Sequence, residues 1–354
     1  ADKTGNITNY TNLRSTGNEN YGIYALGAVS NYGNIDFSQG VGNVGAYSYV
    51  EGATTTPNSI RNYGTISVSK TDISDPDNRK YGIGMAAGFG EEVPAGSGNY
   101  VVKGLGNIEN YGTIKVTTPD SIGMYATGAT STIHNTSGGV INLSGNGSMG
   151  MYLDNGAKGI NDGIIQTVGS PQGAVGVVVR KGSILTNNGT INITGANSGS
   201  IGFRVSHGTV ENNSLVKLND GIGLYGTNGS KINNKSNGTI EISSPSSYGV
   251  GISAFLSGTT AQNYGTDKLI RDLITGGSGN KLSSTIKTIS ITNEGKILVS
   301  GKAIGIYADN TSTIAGFDNH VTKENAVVNN KASLSLGDES IGILTKKATI
   351  NLIG

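Results

Sequence analysis

The sequence predicts an all-β protein: a right-handed parallel β-helix of about eleven coils, three short strands to a coil, with insertion loops and one short helix. Three observations carry this. A phrase of apolar residue, Gly, apolar residue and often Tyr recurs about eleven times along the 354 residues. A second phrase, Asn, then commonly Tyr or Asn, then Gly-x-Ile, alternates with the first. Between breaks rich in Gly, Asn and Ser, apolar residues alternate with polar ones at the period of a strand and not of a helix.

The first phrase runs as Tyr21-Gly22-Ile23-Tyr24, Val44-Gly45-Ala46-Tyr47, Ile122-Gly123-Met124-Tyr125, Met149-Gly150-Met151-Tyr152, Ile222-Gly223-Leu224-Tyr225 and Ile304-Gly305-Ile306-Tyr307, with further copies between them. The second reads Asn31-Tyr32-Gly33-Asn34-Ile35, Asn62-Tyr63-Gly64-Thr65-Ile66, Asn110-Tyr111-Gly112-Thr113-Ile114 and Asn188-Gly189-Thr190-Ile191. A third, shorter stretch precedes it, as in Ser131-Thr132-Ile133 and Ser230-Lys231-Ile232. The motif glycines keep a core spacing of roughly 21 to 28 residues. Three strands of about four to six residues, each advancing about 3.3 Å per residue, fill one coil of that length. Alternation points Ile122, Met124 and Ala126 inward and Gly123 and Tyr125 outward. No coil buries its own apolar face, so the chain folds by stacking coil on coil. A leucine-rich horseshoe has a comparable period but needs a Leu consensus, and the repeated residues here are Ile and Val. The Asn-x-Gly corners are expected to use left-handed backbone, which both residues tolerate, and to stack their side-chain amides. At about 4.8 Å per coil the rod is on the order of 50 Å long.

Composition sets what the protein is not. Glycine supplies 57 residues, charged residues 14%, and the formal net charge is +1, so neither charge-driven disorder nor a nucleic-acid partner is expected. With no cysteine, disulfides, thiolate metal sites and a catalytic thiol are excluded. The opening Ala1-Asp2-Lys3 carries no basic-then-apolar leader, no apolar run is long enough to span a membrane, and Ala348-Thr349-Ile350-Asn351-Leu352-Ile353-Gly354 stops within a rung. A mature chain or an excised piece is therefore expected.

The recurrent Asn-Tyr-Gly-Thr-Ile and Ile-Gly-Ile-Tyr-Ala phrases in a Cys-free, Gly- and Asn-rich chain resemble the passenger domains of large fusobacterial autotransporters of type V secretion, over essentially the whole length. The resemblance implies a surface adhesin built as a long β-helix and held by its own C-terminal outer-membrane barrel, which is absent from this chain. It also implies a bacterial cell-surface location and partners among host or bacterial surface glycans or protein receptors. The lack of Cys suits that route, because a passenger crosses the outer membrane unfolded.

Repeats are scaffold, so departures from them are the candidate sites. The whole chain, 1–354, reads as a single passenger fragment with insertions at about 70–80, 88–106, 257–287 and 315–325. They carry Asp75 and Asp77; Phe89, Glu91, Glu92 and Tyr100; Arg271; and Phe317 and His320. Three of them leave the rung just after the Ile-Gly-x-Tyr strand and should project from one edge. Thr266 to Ile274 reads as a short helix stopped by Gly276-Gly277. Among 16 tyrosines, Tyr24, Tyr47, Tyr125, Tyr152, Tyr225 and Tyr307 form an outward column. Exposed, it would stack sugars; packed rung on rung, it is structural. Tyr49 and Tyr100 fall outside the repeat.

No catalytic, cofactor or metal constellation is expected. His134, His207 and His320 lie far apart in sequence, and there is no Gly-x-Ser-x-Gly elbow, phosphate loop or calcium repeat. Three functional readings follow: an adhesin stalk presenting binding loops, a β-helical polysaccharide lyase or glycoside hydrolase using acids such as Glu91, Glu92, Asp75 and Asp77, or a pure spacer of a longer adhesin.

Overall fold

The computed structural model describes residues 5–75, 79–92, 100–195, 199–227, 229–255, 288–309, 326–346 and 348–353, and for Glu91, Glu92, Tyr100 and Ser247 the strand backbone alone. Three stacks of short parallel strands wrap one core, as the repeat requires. The first sheet has 12 strands, beginning Asn6–Asn9, Ala28–Asn31 and Ile60–Asn62 and closing with Ala326–Asn330 and Thr349–Leu352. The second and third stacks, exemplified by Thr113–Val116 and Ile122–Thr127 in one rung, merge into a 20-stranded sheet because Thr239–Phe255 and Lys296–Asp309 run through both. The fold is a parallel β-helix with three strands per rung. No α-helix occurs among the described residues, and the predicted helix at 266–274 lies outside them.

Inward side chains repeat in register. Ile108 stands beside Ile133, Ile114 beside Ile141, and Met124 beside Met151, all fully buried in one continuous core. Where the first sheet turns a Gly inward, at Gly159, Leu153 and Leu185 close over it. A Cβ there would lie 2.7 and 2.8 Å from their methyls, so the large neighbour and the missing side chain compensate.

Alternation fails at the motif glycine, which corrects the sequence reading of that strand. Met124 and Ala126 face the core, as predicted, but Ile122 joins Tyr125 in a separate cluster on the outer face. Gly123 faces inward: a Cβ on it would lie 2.6 Å from the Gly150 carbonyl and 2.9 Å from Ile141 Cγ2. Two successive residues thus turn inward, and the register of paired strands skips the glycine, as at a bulge. The same carbonyl contact links Gly22 to Gly45, Gly150 to Gly176, Gly176 to Gly202 and Gly251 to Gly305 at 2.5–2.6 Å. Any side chain in this column would displace the backbone of the next rung.

At the corner between the first and second sheets stands an unbroken amide ladder. Asn9, Asn31, Asn62, Asn110, Asn135, Asn161, Asn187, Asn212, Asn234 and Asn293 each donate from Nδ2 to Oδ1 of the next, ending on Asn330, over 2.7–3.0 Å. Stacked amides were expected here, but left-handed backbone was not found: none of these asparagines has positive φ. The corner instead uses Asn because its side chain accepts from one rung and donates to the next, and most also donate to a backbone carbonyl a few residues on, as Asn187 does to Gly189 at 3.0 Å. The following Gly is again forced by crowding, with a Cβ on Gly189 2.1 Å from the Gly163 carbonyl. Left-handed residues sit elsewhere, at Asn155, Lys181 and His207 after strands of the third stack and at Asp120 and Asp220 before them.

Candidate functional site: aromatic surfaces of the N-terminal rungs

The insertion at 88–106 is a β-hairpin. Gly88, at φ +78°, turns the chain off the third stack, and Phe89–Glu92 pairs antiparallel with Tyr100–Leu105, placing Glu91 opposite Val101 and Glu92 opposite Tyr100. A third strand, Val50–Glu51, which sequence reading missed, pairs with Gly104 and Leu105. Its signal was present: the strand alternation continues past Ser48 through Tyr49, the tyrosine that fell outside the repeat.

Below the hairpin lies a continuous aromatic floor. Tyr21 and Tyr49 both stack on Tyr47, at centroid distances of 5.5 and 5.9 Å, while Tyr24 tilts 42° against Tyr47 and Phe89 meets Tyr49 edge-on at 5.7 Å. Gly104 makes the docking possible, since a Cβ there would strike the Tyr49 ring at 2.2 Å. Tyr47 is the anchor: half-buried, it donates to the Gly88 carbonyl at 3.3 Å, and burial, reinforced by Tyr21, Tyr24 and Tyr49, pushes its phenol pKa well up. Tyr21, Tyr24 and Phe89 stay exposed. Sequence reading places Tyr21 before the motif Gly, Tyr24 and Tyr47 in the column, Tyr49 outside the repeat and Phe89 in an insertion, and the fold brings them together.

The predicted tyrosine column is real in register but not uniformly open. Tyr24 pairs with Tyr47, Tyr125 with Tyr152 and Arg204 with Tyr225 across successive rungs. Tyr152 and Tyr225, however, are only 7% and 2% exposed, so as ligand platforms they are excluded. They belong to an apolar cluster with Met149, Val175, Val178 and Ile201 on the outer face. Polar groups are drawn in with them: Arg180 donates to the Tyr152 hydroxyl at 3.0 Å, and the Arg204 guanidinium lies 5.9 Å from the Tyr225 ring centre. Tyr125 is half-buried, and half-buried Tyr307 donates to Asp309 at 2.7 Å.

The other predicted residues separate. Asp75 is exposed beside a small turn in which Asp72 accepts from Ser74 and pairs its backbone with Lys80. Asp77, Arg271, Phe317 and His320 lie outside the described residues, as do the insertions at 257–287 and 315–325. Among the described residues no three acidic or histidine side chains converge as a metal site.

A second aromatic surface runs along the Asn corner. Tyr10, Tyr32, Tyr63 and Tyr111 stack in sequence, centroids 5.1, 4.7 and 4.8 Å apart and planes within 19°. Tyr111 donates to Glu109 at 2.9 Å, and Arg61 reaches the same carboxylate oxygen at 3.1 Å. The column continues as Thr136, Asp162, Asn188, Asn213, Lys235, Glu294 and Lys331, its backbone bonded rung to rung. There the partners are polar: Asn188 donates to Asp162 and Asn213 to Asn188, both at 2.8 Å, while His134 meets Asp162 at 2.7 Å.

The architecture is a parallel β-helix with three strands per rung, and one family comparison agrees with it. The family model of the BigA third pectate lyase-like domain matches residues 1–164, the part of the chain that carries both aromatic surfaces. No curated protein and no solved structure matches the chain.

Proposed function

We propose that this chain is part of the passenger of a bacterial surface adhesin, a rigid β-helix that presents the 89–105 hairpin and its aromatic floor to a glycan or protein on a host or neighbouring bacterial cell. The carrying observation is the cluster of Tyr21, Tyr24, Tyr47, Tyr49 and Phe89, whose exposed rings stand where the hairpin leaves an otherwise regular rod. Exposed aromatics on a rigid frame are suited to recognition, since they offer area at little entropic cost. The match to a domain of BigA, an autotransporter-like surface protein, supports an extracellular passenger. The Asn-Tyr-Gly-Thr-Ile phrasing supports the narrower fusobacterial reading, with a C-terminal outer-membrane barrel as anchor. The chain is read as non-catalytic, and virulence and coaggregation roles follow from adhesion.

The test is cell binding and coaggregation by the full chain and by two variants: 89–105 replaced by a short turn, and Tyr24→Ala with Phe89→Ala. Both variants should keep the β-sheet circular dichroism and lose binding. Adhesion undiminished in both would remove the assignment.

A further inference from the structure

We propose that the Tyr32–Tyr63–Tyr111 stack is an oxidative cross-linking site, at which a haem peroxidase with hydrogen peroxide joins rings of neighbouring rungs as dityrosine. Three features of the corner point to this. The rings are held in pairs, 4.7 Å and 8° apart for Tyr32 and Tyr63, 4.8 Å and 19° for Tyr63 and Tyr111. They are open to an external oxidant, at 47%, 38% and 37% exposure, unlike buried Tyr152 and Tyr225. Beside the stack, the Glu109 carboxylate already accepts the Tyr111 hydroxyl proton at 2.9 Å, so it is positioned to take that proton as the ring is oxidised.

The chemistry balances within the pair. Each phenol gives up one electron and one proton, and the two phenoxyl radicals join through a carbon–carbon bond between ring positions ortho to the hydroxyls. The displaced ring hydrogens return the oxygens to phenols. Two tyrosines and one hydrogen peroxide yield one dityrosine and two waters. The stack supplies what the reaction ordinarily lacks, a second phenol at contact distance, so coupling within the chain outruns coupling between chains. An oxidised Tyr10 or Tyr111 also has a stacked neighbour with which to exchange the radical.

The consequence is mechanical. A chain with no cysteine has no disulfide to staple its rungs. A bond from Tyr32 to Tyr63 closes a loop of about thirty residues and restricts the unfolded chain in the same way as a disulfide. It lies on the outer column, where no core packing need change.

The full chain is treated with a haem peroxidase and hydrogen peroxide, dityrosine fluorescence is followed, and tryptic peptides are mapped. Cleavage after Arg14, Arg61 and Lys70 puts Tyr63 alone in the 62–70 peptide, so its link to the 15–61 peptide is diagnostic, with fragmentation locating the bond at Tyr32. The expected result is monomeric cross-linked product with a raised melting temperature. Tyr63→Phe, which keeps the stacked ring, should lose most of the fluorescence and the rise. Cross-links found only between chains, links confined to Tyr21, Tyr24, Tyr47 and Tyr49, or undiminished signal in Tyr63→Phe would each overturn the proposal.

Discussion

Two columns one residue apart run the length of the Asn corner, and they obey opposite rules. The inner one is asparagine in eleven consecutive rungs, from Asn9 to Asn330, bonded head to tail and sealed from water over most of its length. The outer one is tyrosine in four rungs and then threonine, aspartate, asparagine, lysine and glutamate. The backbone is the same in both. The difference teaches that burial sets the constancy: an inward polar group must satisfy its neighbours above and below, whereas an outward one is bonded by choice and changes with what the rung is for. The recognition reading rests on the N-terminal rungs because their outward rings, among them Tyr21, Tyr24 and Phe89, stay exposed, whereas the outer apolar cluster of the later rungs is covered.

The comparison breaks most visibly where the inner surface has no slack. Gly176→Ala places a methyl about 2.6 Å from the Gly202 carbonyl and 2.8 Å from Ile191 Cγ2. The backbone must move, and chemical denaturation should show a loss of about 3 kcal/mol or more. At the other extreme, Lys331→Ala removes an exposed ion pair in which Lys331 meets Glu294 at 3.0 Å. Denaturation in low and high salt should detect no more than about 0.5 kcal/mol, because exposed pairs gain little over water. A large loss at Lys331 would mean that the outer column carries the fold after all.

Much of the frame was legible in the sequence because the residues that build it are the ones that repeat. The Ile-Gly-x-Tyr and Asn-x-Gly-x-Ile phrases, with the shorter stretch typified by Ser131-Thr132-Ile133, located all three strands of a rung, and the amide stacking followed from Asn chemistry. What misled was the purpose of glycine. Gly123 looked like an ordinary outward strand position and Gly189 like an aid to turning, yet both are required by a carbonyl of the adjacent rung, a contact between residues far apart in sequence. Counting Gly123 as an ordinary alternating residue also put Ile122 on the wrong face. The candidate site was legible in part. The hairpin at 88–106 announced itself by breaking the period, but Val50–Glu51 pairs with it across a distance the repeat does not encode. Burial of Tyr152 and Tyr225 was equally hidden, since a column's register does not reveal what lies over it. The His134–Asp162–Asn188–Asn213 run escaped notice because each rung contributes a different residue type.

The central claim, that inner columns hold the fold and outer columns are free to serve recognition, is tested most directly by one substitution made at adjacent positions. Asn187 and Asn188 are the same residue, one inside the ladder and one outside it. Asn187→Ala strands the Asn161 amide that donates to it at 2.7 Å and the Asn212 oxygen that it serves at 2.8 Å. Asn188→Ala removes exposed bonds to Asp162 and Asn213 that water replaces. Equilibrium denaturation of the two variants side by side should give a loss of about 2–4 kcal/mol for Asn187→Ala and within about 0.5 kcal/mol of no change for Asn188→Ala. Equal losses, or a larger one at Asn188, would contradict the account.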